Sequence, residues 1–185
     1  MLTRLYNLIY RLATWPVVAL LFIAYILSNQ GFVWRQTKLD SQLHLLDTRF
    51  LYSPADAQNL FEILGHRGRA IYAITELSLD FMFPFIYGLL LAIFLVRLYS
   101  GHAGKLLIIL PLLTMSADLL ENATVAYLAL SFGGKTSAFA WASTVFTATK
   151  WMSFLVCFLI ILKGGLAGLW KLQQGTAIET REIPS

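Results

Sequence analysis

The sequence predicts an all-α fold: an integral membrane bundle of four spanning helices, with an amphipathic helix before the first span. A long, partly helical loop joins the first two spans. Three observations lead there. The 185 residues are 58% hydrophobic and 13% charged, too little charge for a soluble domain of this length. Four stretches, at residues 12–28, 70–96, 106–130 and 138–162, approach or exceed the roughly 20 apolar residues that a bilayer core demands. Only one interval between them, residues 29–69, is long enough to hold structure of its own. Residues 1–172 then form a single transmembrane domain, and residues 173–185 a mobile polar tail.

Each element has its own signal. In "LTRLYNLIYRL" the residues Leu2, Leu5, Tyr6, Ile9 and Leu12 share one helical face, and Arg4, Asn7 and Arg11 another. That pattern makes an interfacial helix that anchors the chain. The first span resembles a secretory signal, but no small-x-small cleavage site follows it, so it is read as a retained anchor. Within the loop, "YSPADAQNLFEILG" offers Ser53 as an N-cap, Pro54 at the first helical position and Asp56 in the first turn. Ala57, Leu60, Phe61 and Leu64 then repeat at helical spacing and Gly65 stops the helix. Such a helix can lie on the membrane or cover a gap between spans. Arg67 and Arg69 follow at the start of the second span; arginines there snorkel to lipid phosphates or turn inward.

Topology accounts for the net charge of +4 better than nucleic acid does. With both termini cytoplasmic, the inside holds Arg4, Arg11, Arg97, Lys105, Lys163, Lys171 and Arg181. The outside holds Arg35, Lys38, Arg49, Arg67, Arg69 and Lys135, diluted by Asp40, Asp47, Asp56 and Glu62. Seven basic residues against six is a small positive-inside bias. Cys157 is the single cysteine, which excludes an intramolecular disulfide and a dithiol redox pair.

Polar residues recur inside the apolar spans. Tyr72, Glu76, Asp80 and Tyr87 fall four, four and seven residues apart on the second span. Thr114, Asp118, Glu121 and Asn122 share a face of the third, within "SADLLENAT", and Ser143, Thr147 and Lys150 a face of the fourth. Asp80, Glu121 and Lys150 lie on the order of 14–18 Å below the outer boundary at about 1.5 Å per residue, so the stripes should meet at one level. An ionised residue near the centre of a span costs about 2.5–3.5 kcal/mol when it faces lipid, so all five charges should turn inward.

Glue between helices is the plain explanation, but polar contacts between spans contribute only about 0.6 kcal/mol each. Ser, Thr or Asn would provide that with less desolvation. Four carboxylates (Glu76, Asp80, Asp118 and Glu121) also face one cation, Lys150. The surplus calls for protons, a bound cation or an arginine reaching down from the loop. His44, His66 and His102 all lie outside the spans, so zinc and haem have no histidine in the cluster. Carboxylates with Asn122 suit a hard cation, but Lys150 at the same level competes with a metal, and no metal site is assigned.

The string "LDTRFLYSP…LG…GR…Y…D…FP…Y", followed by "DLLEN" and "TATK", resembles a family of uncharacterised bacterial four-span membrane proteins, over Leu46 to Lys150. That resemblance implies the fold and a place in the bacterial inner membrane, and no reaction. The arrangement of Glu76 and Asp80 with Pro84 downstream, and of Asp118 with Glu121, is also similar to the emopamil-binding-protein and sigma-2-receptor group. It is a likeness of architecture only, and Lys150 departs from it.

The sequence therefore points to an acidic pocket in the outer half of the membrane that binds, or acts on, an amphipathic lipid or hydrophobic small molecule. Asp80, Asp118, Glu121 and Lys150 are the candidate acid/base groups. Asn122 and Thr147 would orient them, with Glu76 and Tyr72 beside the ligand and Arg49, Arg67 or Arg69 at an anionic head group. The expected partners are membrane lipid and an amphipathic small molecule, with no nucleic acid; no cofactor is assigned. A proton- or cation-coupled carrier also needs intramembrane carboxylates. Four helices make a narrow bundle, so a carrier would have to form an oligomer. A third reading is an accessory or assembly subunit whose charges pair with a partner protein.

Overall fold

The computed structural model describes residues 1–39, 42–135 and 139–179, with side chains as far as Trp170. Asp40, Ala138 and residues 180–185 lie outside the described residues. Among the described residues every regular element is helical: α1 (Leu2–Leu12), α2 (Trp15–Leu39), a short 3-10 turn (Leu46–Thr48), α3 (Pro54–Leu77), α4 (Leu79–Leu98), α5 (Gly101–Leu107), α6 (Ile109–Leu130) and α7 (Phe139–Glu179). Four lengths are long and apolar enough to cross a membrane: Trp15–Leu39, Pro54–Leu98, Gly101–Leu130 and Phe139–Trp170. The all-α four-span bundle of a membrane protein is the result.

α1 packs as its pattern requires. Tyr6 and Ile9 are buried against Ala92, Ile93, Val96 and Ile108, while Arg4 and Arg11 stay exposed. The first span differs from expectation. It runs on to Leu39, because "SNQGFVWRQTKL" contains no proline and its single glycine is tolerated within a helix. Arg35 and Lys38 therefore belong to α2, and the described part of the loop shrinks to residues 42–53.

The next element keeps its predicted start. The Ser53 hydroxyl accepts from the Asp56 N–H at 3.2 Å, and Asp56 Oδ2 accepts from the Ser53 N–H at 2.7 Å, a complete capping box. Ala57, Leu60, Phe61 and Leu64 are buried with Val125, Ala126, Leu128 and Ala129 of α6, so this segment covers the bundle. Gly65, at φ +61°, breaks the helical backbone as expected, yet the chain bends there and enters the second span directly.

Two prolines divide the spans. Pro84 has no N–H for the Asp80 carbonyl, and the second span breaks upstream at Ser78. Pro111 likewise leaves the Leu107 carbonyl without its helical donor, and α5 ends at that residue. α4 and α6 then come very close at Gly88, where an added Cβ would lie 2.2 Å from Met115 Cγ. The last helix extends beyond residue 162 and includes residues 173–179 of the expected tail.

Candidate functional site

The polar stripes converge. Glu76, Glu121, Asn122, Thr114, Ser143 and Thr147 are fully buried, and Asp80, Asp118 and Lys150 nearly so. They form two linked halves.

One half is built on Lys150 of α7. Its ammonium contacts Glu121 Oε2 at 2.5 Å and donates to Asp118 Oδ1 at 3.2 Å. Hydroxyls complete the set: Thr147 donates to Glu121 Oε1 at 2.7 Å and Tyr87 to Asp118 Oδ2 at 2.7 Å. Nearby, Tyr52 and Ser143 share a hydrogen bond between their hydroxyls. Burial pushes the Tyr52 phenol up to about 12, so it stays protonated.

The other half is built on Arg35, a residue the sequence reading places in the outer loop. Its guanidinium reaches Asp47 at 2.7 Å, Glu76 at 2.9 Å and Asp80 at 3.4 Å. It is the arginine that the charge surplus demands, although it arrives from the extended end of α2. Spacing carried a signal for it, since Ser28, Phe32 and Arg35 stand four and three residues apart and Ser28 and Arg35 are both buried. Asp47 carried none: one acid among several in a loop, it is drawn into the bundle by the 3-10 turn. Tyr72 donates to Asp47 Oδ1 at 2.9 Å and accepts from the Leu46 N–H at 3.1 Å. Burial alone would raise the Asp47 carboxyl. The charges of Arg35 and Lys150, with hydrogen bonds from Arg35 and Tyr72, override it and hold Asp47 below the usual carboxylate range. Lys150 also donates to the Asp47 carbonyl at 3.4 Å, which joins the halves.

Asn122 has a different task from the one its position suggested. Its amide donates to the Asp80 carbonyl at 2.8 Å, the group that Pro84 deprives of a helical donor. It fixes Asp80 through the backbone. Four atoms of the cluster are buried without a hydrogen-bond partner: Arg35 Nε, Glu76 Oε2, Asn122 Oδ1 and Glu121 Oε2, the last held by its ion pair with Lys150. The predicted arginines are not brought in. Arg49 bonds the His44 carbonyl and sits 3.9 Å from Asp56. Arg69 bonds the Phe61 carbonyl at 2.9 Å and stacks on Phe132, and Arg67 is exposed. The capped segment before Gly65 covers this end of the bundle and engages Arg49 through Asp56 and Arg69 through Phe61 instead.

Asp47, Glu76 and Asp80 offer oxygens within 4.8 Å of one another, close enough for a metal ion. The guanidinium of Arg35 stands among them and supplies the positive charge there. Five carboxylates now face two cations, so a surplus of three negative charges persists.

A cavity of about 680 Å³ adjoins the cluster. Its charged wall is Arg35, Asp47, Asp80, Asp118 and Lys150, with Asn29, Gln36 and Thr48 among its other polar lining, and side chains of α2 and α7 flank it. α2 packs on α3 and α4, and α7 on α6 and α4. Both flanking helices face outward along most of their length. Glu76, Glu121, Asn122, Thr147 and Tyr72 stand behind the wall. Rings run in contact across it: Phe32 to Phe83 at 5.1 Å, Phe83 to Tyr87 at 5.3 Å and Tyr87 to Phe154 at 6.0 Å.

No protein-family model, curated protein or solved structure matches this chain.

Proposed function

We propose that this membrane protein binds an amphipathic lipid or hydrophobic small molecule, polar end on Asp80 and Asp118 and apolar part toward the flanking side chains of α2 and α7. The cavity carries the reading: it joins a buried charged wall to aromatic side chains, among them Tyr25 and Phe32 of α2 and Trp151 and Phe154 of α7, two helices that face outward. Apolar walls with a few convergent polar groups are the usual make-up of small-molecule sites. Asp80 is the group best placed to meet a ligand, because it lines the cavity and its ion pair with Arg35 is the longest of the three, 3.4 Å. Asp118 and Lys150 lie next to it on the wall as further acid/base groups.

Orientation belongs to the same proposal. With Arg35 buried, the loop end keeps five of its six basic residues against seven at the other. That supports cytoplasmic termini and a pocket in the outer half of an inner membrane.

An amphiphile with a photoreactive diazirine in its tail tests the site in lipid nanodiscs. Adducts should concentrate on Phe83, Phe154 and Val33 and fall severalfold in Val33→Trp, which fills part of the cavity. Equal labelling of lipid-facing Leu20 and Leu155 would sink the reading.

A further inference from the structure

We infer that the head group taken by this site is a cation, and that it enters in exchange for a proton. The inference rests on the lateral-pocket reading and adds the chemical class of its ligand.

Charge comes first. Asp80 on α4 is faced by Arg35 from α2, Asp47 from the 3-10 turn, Glu76 from α3, Asp118 from α6 and Lys150 from α7, and Glu121 of α6 stands beside Glu76. Tyr87 on its own helix is committed to Asp118. These are five carboxylates and two cations in an interior shielded from water. Three unpaired negative charges side by side are not sustainable there, so the empty site must hold protons.

The second observation is independent of charge. The cavity beside Asp80 has room for a substituted ammonium group, and its wall is a run of aromatic rings. Ring faces attract cations, more strongly when water is excluded. Resident cations already use such faces: Arg35 lies 5.0 Å from the Phe32 ring centre and Lys150 5.6 Å from that of Trp151. A neutral head group would find acceptors on this wall but would leave the surplus as it was. An anionic one would enlarge it.

A cation next to Asp80 favours its ionised form, so the carboxyl proton leaves to solvent as the ligand arrives, and the charge of the site does not change. Binding one cation then releases one proton, and affinity should rise about tenfold per pH unit until the carboxyl ionises unaided.

Isothermal calorimetry on the full chain in phosphatidylcholine nanodiscs reads this with decyltrimethylammonium, whose charge is fixed, against neutral decanol and anionic decyl sulfate. Titration in two buffers of different ionisation enthalpy counts the protons. The expected result is tighter binding of the cation than of decanol, about one proton released per cation, and none with decanol. In Asp80→Asn the proton count should fall toward zero and the preference for the cation shrink. Equal affinity for cation and alcohol with no proton released overturns the inference and leaves the pocket standing. Tighter binding of decyl sulfate overturns it in favour of Arg35 and Lys150. A proton count that survives in Asp80→Asn overturns the assignment to that residue. If neither cation nor alcohol binds, and the diazirine probe spares the cavity, both readings fall together.

Discussion

The two halves of the buried cluster use the same residue types and are finished to different degrees. In the Lys150 half a compact ammonium sits between two carboxylates, and each carboxylate also accepts from a hydroxyl, Asp118 from Tyr87 and Glu121 from Thr147. In the Arg35 half a planar guanidinium serves three carboxylates at unequal distances, and Arg35 Nε and Glu76 Oε2 are left over. The first half ties α4, α6 and α7 together. The second ties α2, the 3-10 turn, α3 and α4. Both reach the cavity, the first through Asp118 and Lys150 and the second through Arg35, Asp47 and Asp80. A satisfied network holds helices in place, and an unfinished one leaves capacity for something else.

Removing the cations should break the cluster most severely. Arg35→Met strands Asp47, Glu76 and Asp80 and should cost about 3–5 kcal/mol, as loss of one partner from a buried pair does. Lys150→Met strands two carboxylates and should fall at the lower end of that range. Thermal unfolding in detergent checks both. Glu76→Gln should recover part of the first loss and Glu121→Gln part of the second. Strictly additive losses would remove the pairing from the account.

How far the sequence reaches is visible in the same two halves. All but one of the groups of the Lys150 half lie on α6 and α7, where helical spacing places them on one face, and the sequence names Asp118, Glu121, Thr147 and Lys150 correctly as one group. The Arg35 half depends on where a helix ends and how a loop folds, and neither follows from periodicity. Residues 29–39 look like polar loop because they stand past an apolar run, yet nothing in them stops a helix. Asp47 is placed by tertiary contacts of Leu45 and Leu46 with the loop-end core. Tyr72, Glu76 and Asp80 are legible as a stripe, and their partner Arg35 shows in its spacing from Ser28 and Phe32 only once α2 is known to continue past residue 28.

Asn122 gives the next largest effect. Asn122→Leu leaves the Asp80 carbonyl buried without a donor and should cost about 1–3 kcal/mol. Pro84→Ala restores an N–H one turn below that carbonyl, so the loss should be clearly smaller in the double variant. A full loss on the Pro84→Ala background would show that Asn122 acts by packing.

The effect of pH sharpens the comparison at Asp47. Its carboxyl is held below its ordinary value in the folded protein. Ionised Asp47 therefore adds stability that is fully present above the unfolded-state pKa. That stability is lost as pH falls through the lower, folded-state value. Acid should loosen the Arg35 half through this group, and Asp47→Asn should remove that part of the pH dependence. Unfolding midpoints from pH 7 downward, wild type against variant, give the difference; parallel curves would show that Asp47 contributes nothing to acid sensitivity.

The smallest effects belong to the arginines outside both halves. Arg67 is exposed with no described ion pair, so Arg67→Ala should change stability by less than about 0.5 kcal/mol. Arg69 makes one backbone hydrogen bond and one ring contact, Phe61 and Phe132, and Arg69→Ala should cost about 1 kcal/mol. Neither should alter diazirine labelling of the cavity, because neither side chain lines it. Arg35 is chemically the same residue, about two helical turns beyond the middle of α2, and its removal should cost several times more. The difference is desolvation: a guanidinium kept among three carboxylates away from water is coupled to all of them, and one at the surface is screened from every charge it approaches. If Arg67→Ala or Arg69→Ala matched Arg35→Met in unfolding or in loss of labelling, burial would not be what separates the cluster from its surroundings, and the division into halves would have to be abandoned.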